Sequence, residues 1–251
     1  WTVLWSVAGA SWGWVAYSAG LAVLAILLVL SISFKWFSNA AAKAQSFGKR
    51  PPQSAQSWLA VVGVVTMVTI RLFVILPVMG SPDALPHLGD ADFHLQGTLL
   101  IHETGDVSPI GGLSELYTPG VASSVFYPTL WHAWTALLLP YVDVVQATNA
   151  AVLALVCLMW PPVVALLGVS LRPRSNWGGF FAPTIMSAVA VFPGAIGVAF
   201  SIYPYALSLI GVPAALGALM LWQRGRGMLW AIIYFTAAVG SLIAQPTGAL
   251  F

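Results

Sequence analysis

The chain has 251 residues, of which 59% are hydrophobic and 6% charged, with a formal net charge of +2 and a mean hydropathy of +0.90. A soluble domain carries roughly 25% Asp, Glu, Lys and Arg, so this chain cannot cover a water-facing surface, and disorder is excluded because it needs low hydrophobicity and high net charge. Continuous apolar runs of about 20 residues, in place of alternating strands of about 10, exclude a β-barrel and leave an all-α, polytopic transmembrane helical bundle.

In chain order, six spans are expected near 14–34, 57–79, 145–170, 180–200, 205–222 and 228–245. Trp58, Trp160, Trp177 and Trp222 fall near span ends and read as interfacial anchors. Prolines at 161, 162, 183, 193, 204 and 213 lie in or beside the later spans, where each removes a backbone donor and tends to kink its helix. The single cysteine, Cys157, lies in an apolar run and reads as a small core residue. No cleavable signal peptide is expected ahead of the first run, since no basic n-region or small-residue cleavage site is visible there. The start on Trp1 and the stop at Phe251 directly after a span lead us to expect a piece of a longer chain.

The charges are sharply segregated. All seven acids (Asp83, Asp90, Asp92, Glu103, Asp106, Glu115, Asp143) and all four histidines (His87, His94, His102, His132) lie between 83 and 143, an interval without Lys or Arg. The links 35–56, 171–176 and 223–227 are basic, so the positive-inside rule puts them in the cytoplasm and puts 80–144 outside. That orientation requires the apolar stretch 126–141, broken by Pro128 and Pro140, to form a re-entrant or surface half-helix that does not cross. The expected organisation is a single transmembrane domain, 1–251, in the plasma membrane, with 80–144 as an extracytoplasmic loop carrying the site.

Within that loop the residues from Asp90 to about Glu103 have a helical pattern. Asp90 is a candidate N-cap and Gly105 suits the stop. Asp90 and His94 stand four residues apart, so on a helix both side chains can address one point. The alternative is that Asp90 only caps and His94 only fills a polar loop. In Phe126-Tyr127-Pro128-Thr129-Leu130-Trp131-His132, Pro128 fits a first helical turn, placing Tyr127 at the mouth of the site and His132 one turn in. His132 is either satisfied by a backbone carbonyl or reaches the cavity of Asp90. Arg71, two-thirds along its span, is an intramembrane cation and therefore a functional candidate.

The residues Asp90-Ala91-Asp92-Phe93-His94-Leu95, Thr104-Gly105-Asp106 and Phe126-Tyr127-Pro128 with Trp131-His132 resemble a large actinobacterial family of uncharacterised polytopic membrane proteins with the pattern D-A-x-F-H-L, T-G, F-Y-P-x-x-W-H. That family is similar to the GT-C class of integral-membrane glycosyltransferases, which carry an essential acid in the first outer loop. The resemblance covers residues 88–133; Gln96 stands where the family commonly has Asn. It implies transfer of a sugar from a polyprenyl-phosphate donor to a glycan or lipid-linked acceptor of the cell envelope. Asp90 matches the loop aspartate, while His94, Tyr127 and His132 match motif positions.

Such chemistry needs a carboxylate base, for which Asp90 is the candidate and Asp92 the alternative. It also needs positive charge at the departing phosphate. Arg71 could supply that charge, unless it pairs with Asp143 or another acid. A divalent cation (Mg, Mn or Ca) held by Asp90, Asp92, His94 or His132 could supply it instead. Substrate-binding candidates are therefore His94, Tyr127, His132 and Arg71. The rival readings are a non-catalytic component of envelope assembly and a transporter; no nucleic-acid partner is expected.

Overall fold

The structure, a computed structural model, describes residues 53–85, 89–117, 125–171 and 201–246. Among these the chain is helical. α1 (Gln53–Met79), α2 (Ala91–Thr104), the single turn α3 (Ser114–Tyr117) and α4 (Leu130–Ala136) are followed by α5 (Val144–Leu153). A π-helical segment (Ala154–Met159) then leads into α6 (Trp160–Leu171), and α7 (Tyr203–Gln223) and α8 (Met228–Ala244) complete the order. No β-strand occurs among the described residues; one isolated antiparallel bridge joins Ile110 and Phe126.

Three helical stretches are long and apolar enough to cross a membrane: Val61–Met79, the continuous Val144–Leu171, and Tyr203–Gln223. Their limits lie within a few residues of the spans expected at 57–79, 145–170 and 205–222. α8 is apolar but has 17 residues, a rise of about 25 Å at 1.5 Å per residue, against a hydrocarbon core of about 30 Å. The expected spans 14–34 and 180–200 and Trp177 lie outside the described residues. The stretch 126–141 holds only the seven-residue α4 followed by turns, too short to cross.

Burial follows the same logic. Val65, Phe73, Val74 and Val78 on α1 and Ile232, Phe235 and Val239 on α8 are exposed, an apolar surface that water disfavours and lipid accepts. Inside, Trp131, Val152, Leu155, Cys157, Trp160, Val164, Tyr203 and Ile210 form one core, against which Leu72, Ile75 and Met79 of α1 pack. Trp160 is therefore not an interfacial anchor. It lies midway along the 28-residue stretch that α5, the π segment and α6 make together, and its indole is buried between helices. Trp222, at the end of α7, is 37% exposed and lies beside Tyr234 and Phe235.

α7 and α8 form a tight hairpin. A Cβ on Gly211 would lie 2.6 Å from Ser241 Cβ, so only glycine admits this approach, and Ser241 Oγ donates to the Ser208 carbonyl at 2.6 Å. Small residues at such crossings let backbones close up where no hydrophobic force between helices operates. On the other side of α7, Ser170 Oγ donates to the Gly217 carbonyl at 3.0 Å, and Arg224 donates to the Ser170 carbonyl.

The link from α1 to α2 is docked on the head of α5. Asn149 Nδ2 donates to the carbonyls of Pro82 and Ala84 (2.7 and 3.0 Å), and Gln146 Nε2 donates to Asp83 at 2.6 Å. Asp143 caps α5 by accepting from the backbone N–H groups of Val145 and Gln146. α2 and α4 then pack on each other at the same end of the bundle, with α5 and α7 beneath α4.

Candidate functional site

Each wall of the site has a local cause. α2 begins directly after Asp90 and ends at Gly105, whose left-handed conformation (φ 69°) lets its N–H bond the Ile101 carbonyl; this closing geometry favours glycine. Beyond it, the chain folds back along 106–112 and meets 125–129. The Gly111 N–H donates to Val125, the Tyr127 N–H to Pro109 and Thr129 Oγ1 to Val107. These bonds hold Phe126-Tyr127-Pro128 against the segment 107–111 and launch α4 from Thr129.

Asp90 occupies the N-cap position but does not cap. Its backbone sits at φ −88°, ψ 20°, and its side chain makes no capping bond. The exposed carboxylate is engaged by no hydrogen bond or ion pair among the described residues. Its charge is felt by two phenols, Tyr117 and Tyr127, whose ionisation is pushed up first by burial and then by neighbouring charge, Asp90 included. Phe93, one turn along α2, touches both rings, with centroids 5.5 Å from Tyr117 and 4.9 Å from Tyr127. Asp90, Phe93, Tyr117 and Tyr127 therefore cluster at the head of α2. Asp92, also exposed, is two residues further along the helix, on nearly the opposite face.

His94 departs from the sequence expectation. It does not join Asp90 at one point; its ring turns into the protein, 1% exposed, and its Nδ1 lies 2.9 Å from Nε2 of His132, which is fully buried. His132 accordingly meets His94 and not the open space beside Asp90. Burial pulls the His94 pKa down to about 4. His132 is driven well below the ordinary imidazole value by burial and then by His94, with the Pro128 carbonyl working weakly the other way. Both rings are neutral at pH 7, so one nitrogen of the pair donates and the other accepts. His132 Nδ1 has no hydrogen-bond partner among the described residues. Tyr203, at the start of α7, stacks on Trp131 (4.8 Å) and faces His94 (5.3 Å), closing the floor beneath the pair.

Arg71 also lands away from its expected partners. It is 4% exposed, and its Nη1 donates to the Val156 carbonyl at 2.8 Å, inside the π segment. That carbonyl is free for a reason legible in the backbone. The Trp160 N–H, its normal α-helical donor, bonds Leu155 instead, and the next residue, Pro161, has no N–H. Arg71 fills the vacancy. No ion pair with Asp143 forms: Asp143 sits at the head of α5, about 20 Å of helix rise from Val156 at 1.5 Å per residue.

A metal centre finds little support in this geometry. Among the described residues no three His, Cys, Asp or Glu side chains converge on one point. Of the proposed ligands Asp90, Asp92, His94 and His132, the two imidazoles bond to each other. His87 lies outside the described residues. Sequence reasoning missed Phe93, Tyr117 and Tyr203. Tyr117 lies outside the motif residues singled out, and stacking partners leave no spacing signal in one chain.

The fold and site define an all-helical protein with membrane-length helices and a polar, aromatic cluster at one end of the bundle. The sequence model of DUF6541, a family of unknown function, matches residues 1–251, and the chain belongs to that family. No curated protein and no solved structure matches it.

Proposed function

We propose that this protein is a GT-C-type glycosyltransferase, moving a sugar from a polyprenyl-phosphate donor to a glycan or lipid-linked acceptor of the cell envelope at the extracytoplasmic face of the plasma membrane. The observation that carries the reading is the Asp90 carboxylate, exposed and without a hydrogen-bonding partner among the described residues, a short link beyond the end of a membrane-length helix. A side chain that stabilises the fold would be expected to cap α2 or pair with a cation. Asp90 does neither.

In the proposed reaction an acceptor hydroxyl oxygen bonds to the anomeric carbon as its proton passes to Asp90. The bond from that carbon to the phosphate oxygen breaks, and its electron pair leaves with the polyprenyl phosphate. General base catalysis of this kind is worth about 10²–10⁴-fold. The neutral His94–His132 pair and Tyr203 pack together on the inner side of α2, and the exposed apolar faces of the helices are suited to the prenyl chain. The segment 80–144 contains no Lys or Arg, and Arg71 is buried against the π segment with Nη1 on the Val156 carbonyl. Positive charge for the leaving phosphate therefore has to be supplied by some other group.

The test supplies membranes containing the protein with radiolabelled polyprenyl-phosphate arabinose, mannose or glucose and compares wild type with Asp90→Asn at equal expression. Transfer by wild type that the variant loses supports the reading. Transfer that survives in Asp90→Asn removes Asp90 from the role of base, and absence of transfer from all three donors counts against the enzyme. Transport is the second reading, favoured by the π-helical break and the buried Arg71. It predicts that Arg71→Leu abolishes function while Asp90→Asn does not.

A further inference from the structure

The sugar-transfer reading leaves open what surface the acceptor rests on, and the rings beside Asp90 bear on that question. Phe93, Tyr117 and Tyr127 are in mutual contact, the two tyrosine centroids 6.3 Å apart and each within 5.5 Å of Phe93. Tyr117 is 47% exposed, so the cluster turns a ring toward solvent. Neither phenol hydroxyl has a hydrogen-bond partner among the described residues. Asp90 stands three residues before Phe93, one helical turn away on the same face of α2. An aromatic surface, two unpartnered hydroxyls and an unpartnered carboxylate therefore share one small area.

Two ligand chemistries use carboxylates with aromatic rings, and ring spacing separates them. A cage for an organic cation needs faces set around a void, each centroid within about 6 Å of the charge. Here the rings pack edge to face or tilted on one another, with interplanar angles of 61°, 58° and 47°, so no void lies between them and the exposed Tyr117 ring alone offers a platform. A platform suits a flat, partly apolar ring whose edge carries hydrogen-bonding groups. A sugar ring has that form, with C–H groups on its face and hydroxyls at its rim.

We propose that Tyr117, Tyr127 and Asp90 form a subsite for the ring of an uncharged acceptor sugar, its C–H face lying on Tyr117 and its hydroxyls bonding Asp90 and the Tyr127 hydroxyl. The subsite rests on the transferase reading and adds the acceptor class to it. It orients the attacking hydroxyl toward the base, and it gives Tyr117 a recognition role that an exposed tyrosine at a loop edge would otherwise lack.

The experiment uses the full-length protein in lipid nanodiscs and saturation-transfer NMR with methyl glycosides of mannose, glucose and arabinose, with tetramethylammonium as the cation arm. Wild type is expected to saturate the ring C–H protons of at least one glycoside. Tyr117→Phe keeps the stacking face and should bind within about threefold of wild type. Tyr117→Ala should bind about tenfold or more weakly, with its thermal midpoint unchanged. Tyr141→Ala, at a site 84% exposed and outside the cluster, should match wild type. Absence of glycoside saturation in wild type, undiminished saturation in Tyr117→Ala, or saturation of tetramethylammonium alone would each overturn the proposal.

A parallel transfer assay separates the two readings. Glycoside binding without transfer from any polyprenyl donor keeps the subsite and removes the enzyme. Transfer whose acceptor KM is untouched by Tyr117→Ala keeps the enzyme and removes the subsite. An increase confined to the donor KM would place the ring of the donor, not the acceptor, on Tyr117 and would overturn the assignment.

Discussion

Gly97 on α2 lies directly against the ring of His132 on α4: a Cβ at Gly97 would sit 2.8 Å from His132 Cδ2 and 3.1 Å from Nε2. The imidazole is fully buried and tied to His94, so it has no room to yield. One missing methyl group thus lets two helices approach closely enough for a hydrogen bond between histidines 38 residues apart. Gly97→Ala should force the helices apart and break the His94–His132 contact, at an overpacking cost of about 1–3 kcal/mol. Thermal unfolding in detergent reads the loss. An unchanged midpoint would mean that α2 and α4 pack more loosely than the geometry requires.

Acid should destabilise the protein through the same pair. His94 is held to about 4 in the fold against an ordinary 6.5, so below about pH 6.5 the unfolded chain binds the proton first and stability falls as pH drops. The contribution present at neutral pH is lost progressively down to about pH 4 and then levels off, because the folded form protonates as well. At 1.36 kcal/mol per pKa unit the ceiling for His94 is on the order of 3 kcal/mol. His132, also held well below the ordinary imidazole value by burial and by His94, adds to the same acid-side loss. Unfolding midpoints measured across this range should therefore decline with acid in wild type and decline less in the double variant His94→Leu, His132→Leu. Equal slopes in the two proteins would assign the acid response to other groups.

Arg71 and Pro161 should be coupled although their side chains are on different helices. Removing the guanidinium with Arg71→Leu leaves the buried Val156 carbonyl without a donor, a cost of about 1–3 kcal/mol. Pro161→Ala restores a backbone N–H at the position where the helix lacks one, so Arg71→Leu should cost less in that background. A double-mutant cycle on thermal or denaturant unfolding measures the difference. Additive effects would show that Arg71 is retained for something other than the vacancy at Val156.

Two aspartates at helix heads should behave oppositely. Asp143 accepts two backbone N–H bonds at the start of α5, and Asp143→Ala should cost about 1 kcal/mol, the usual value of an N-cap. Asp90 makes no such bond, so Asp90→Ala should leave the unfolding midpoint within about 0.5 kcal/mol of wild type. Comparable losses in both would turn Asp90 into a structural cap and remove the observation on which the transferase reading rests.

Several of these features are readable along the chain and several are not. The limits of α1, the 144–171 stretch and α7 follow from apolar runs. The start of α2 at Asp90 and its stop at Gly105 follow from local backbone preferences, which is why both were legible. The role of Asp90 at that start was not, because a cap position and a capping bond are different things: the backbone sits at the cap while the carboxylate stays free. Trp160 misled because it was read by residue type: its place fifteen residues into the expected span 145–170 already sets it away from an interface, and it packs between helices.

The sequence by itself determined that this is an all-helical chain with membrane-length helices, and that its acids and histidines gather between 83 and 143, because composition and charge spacing act within a few residues of themselves. Only the tertiary structure decided which of those groups meet. His94 faces inward to His132 because Gly97 lets α4 approach, Arg71 serves Val156 because Pro161 leaves a carbonyl unpaired, and Tyr117 joins Asp90 through Phe93. Each is a contact between segments distant in sequence, set by packing and by the cost of leaving a buried polar group without a partner, and neither acts along the chain.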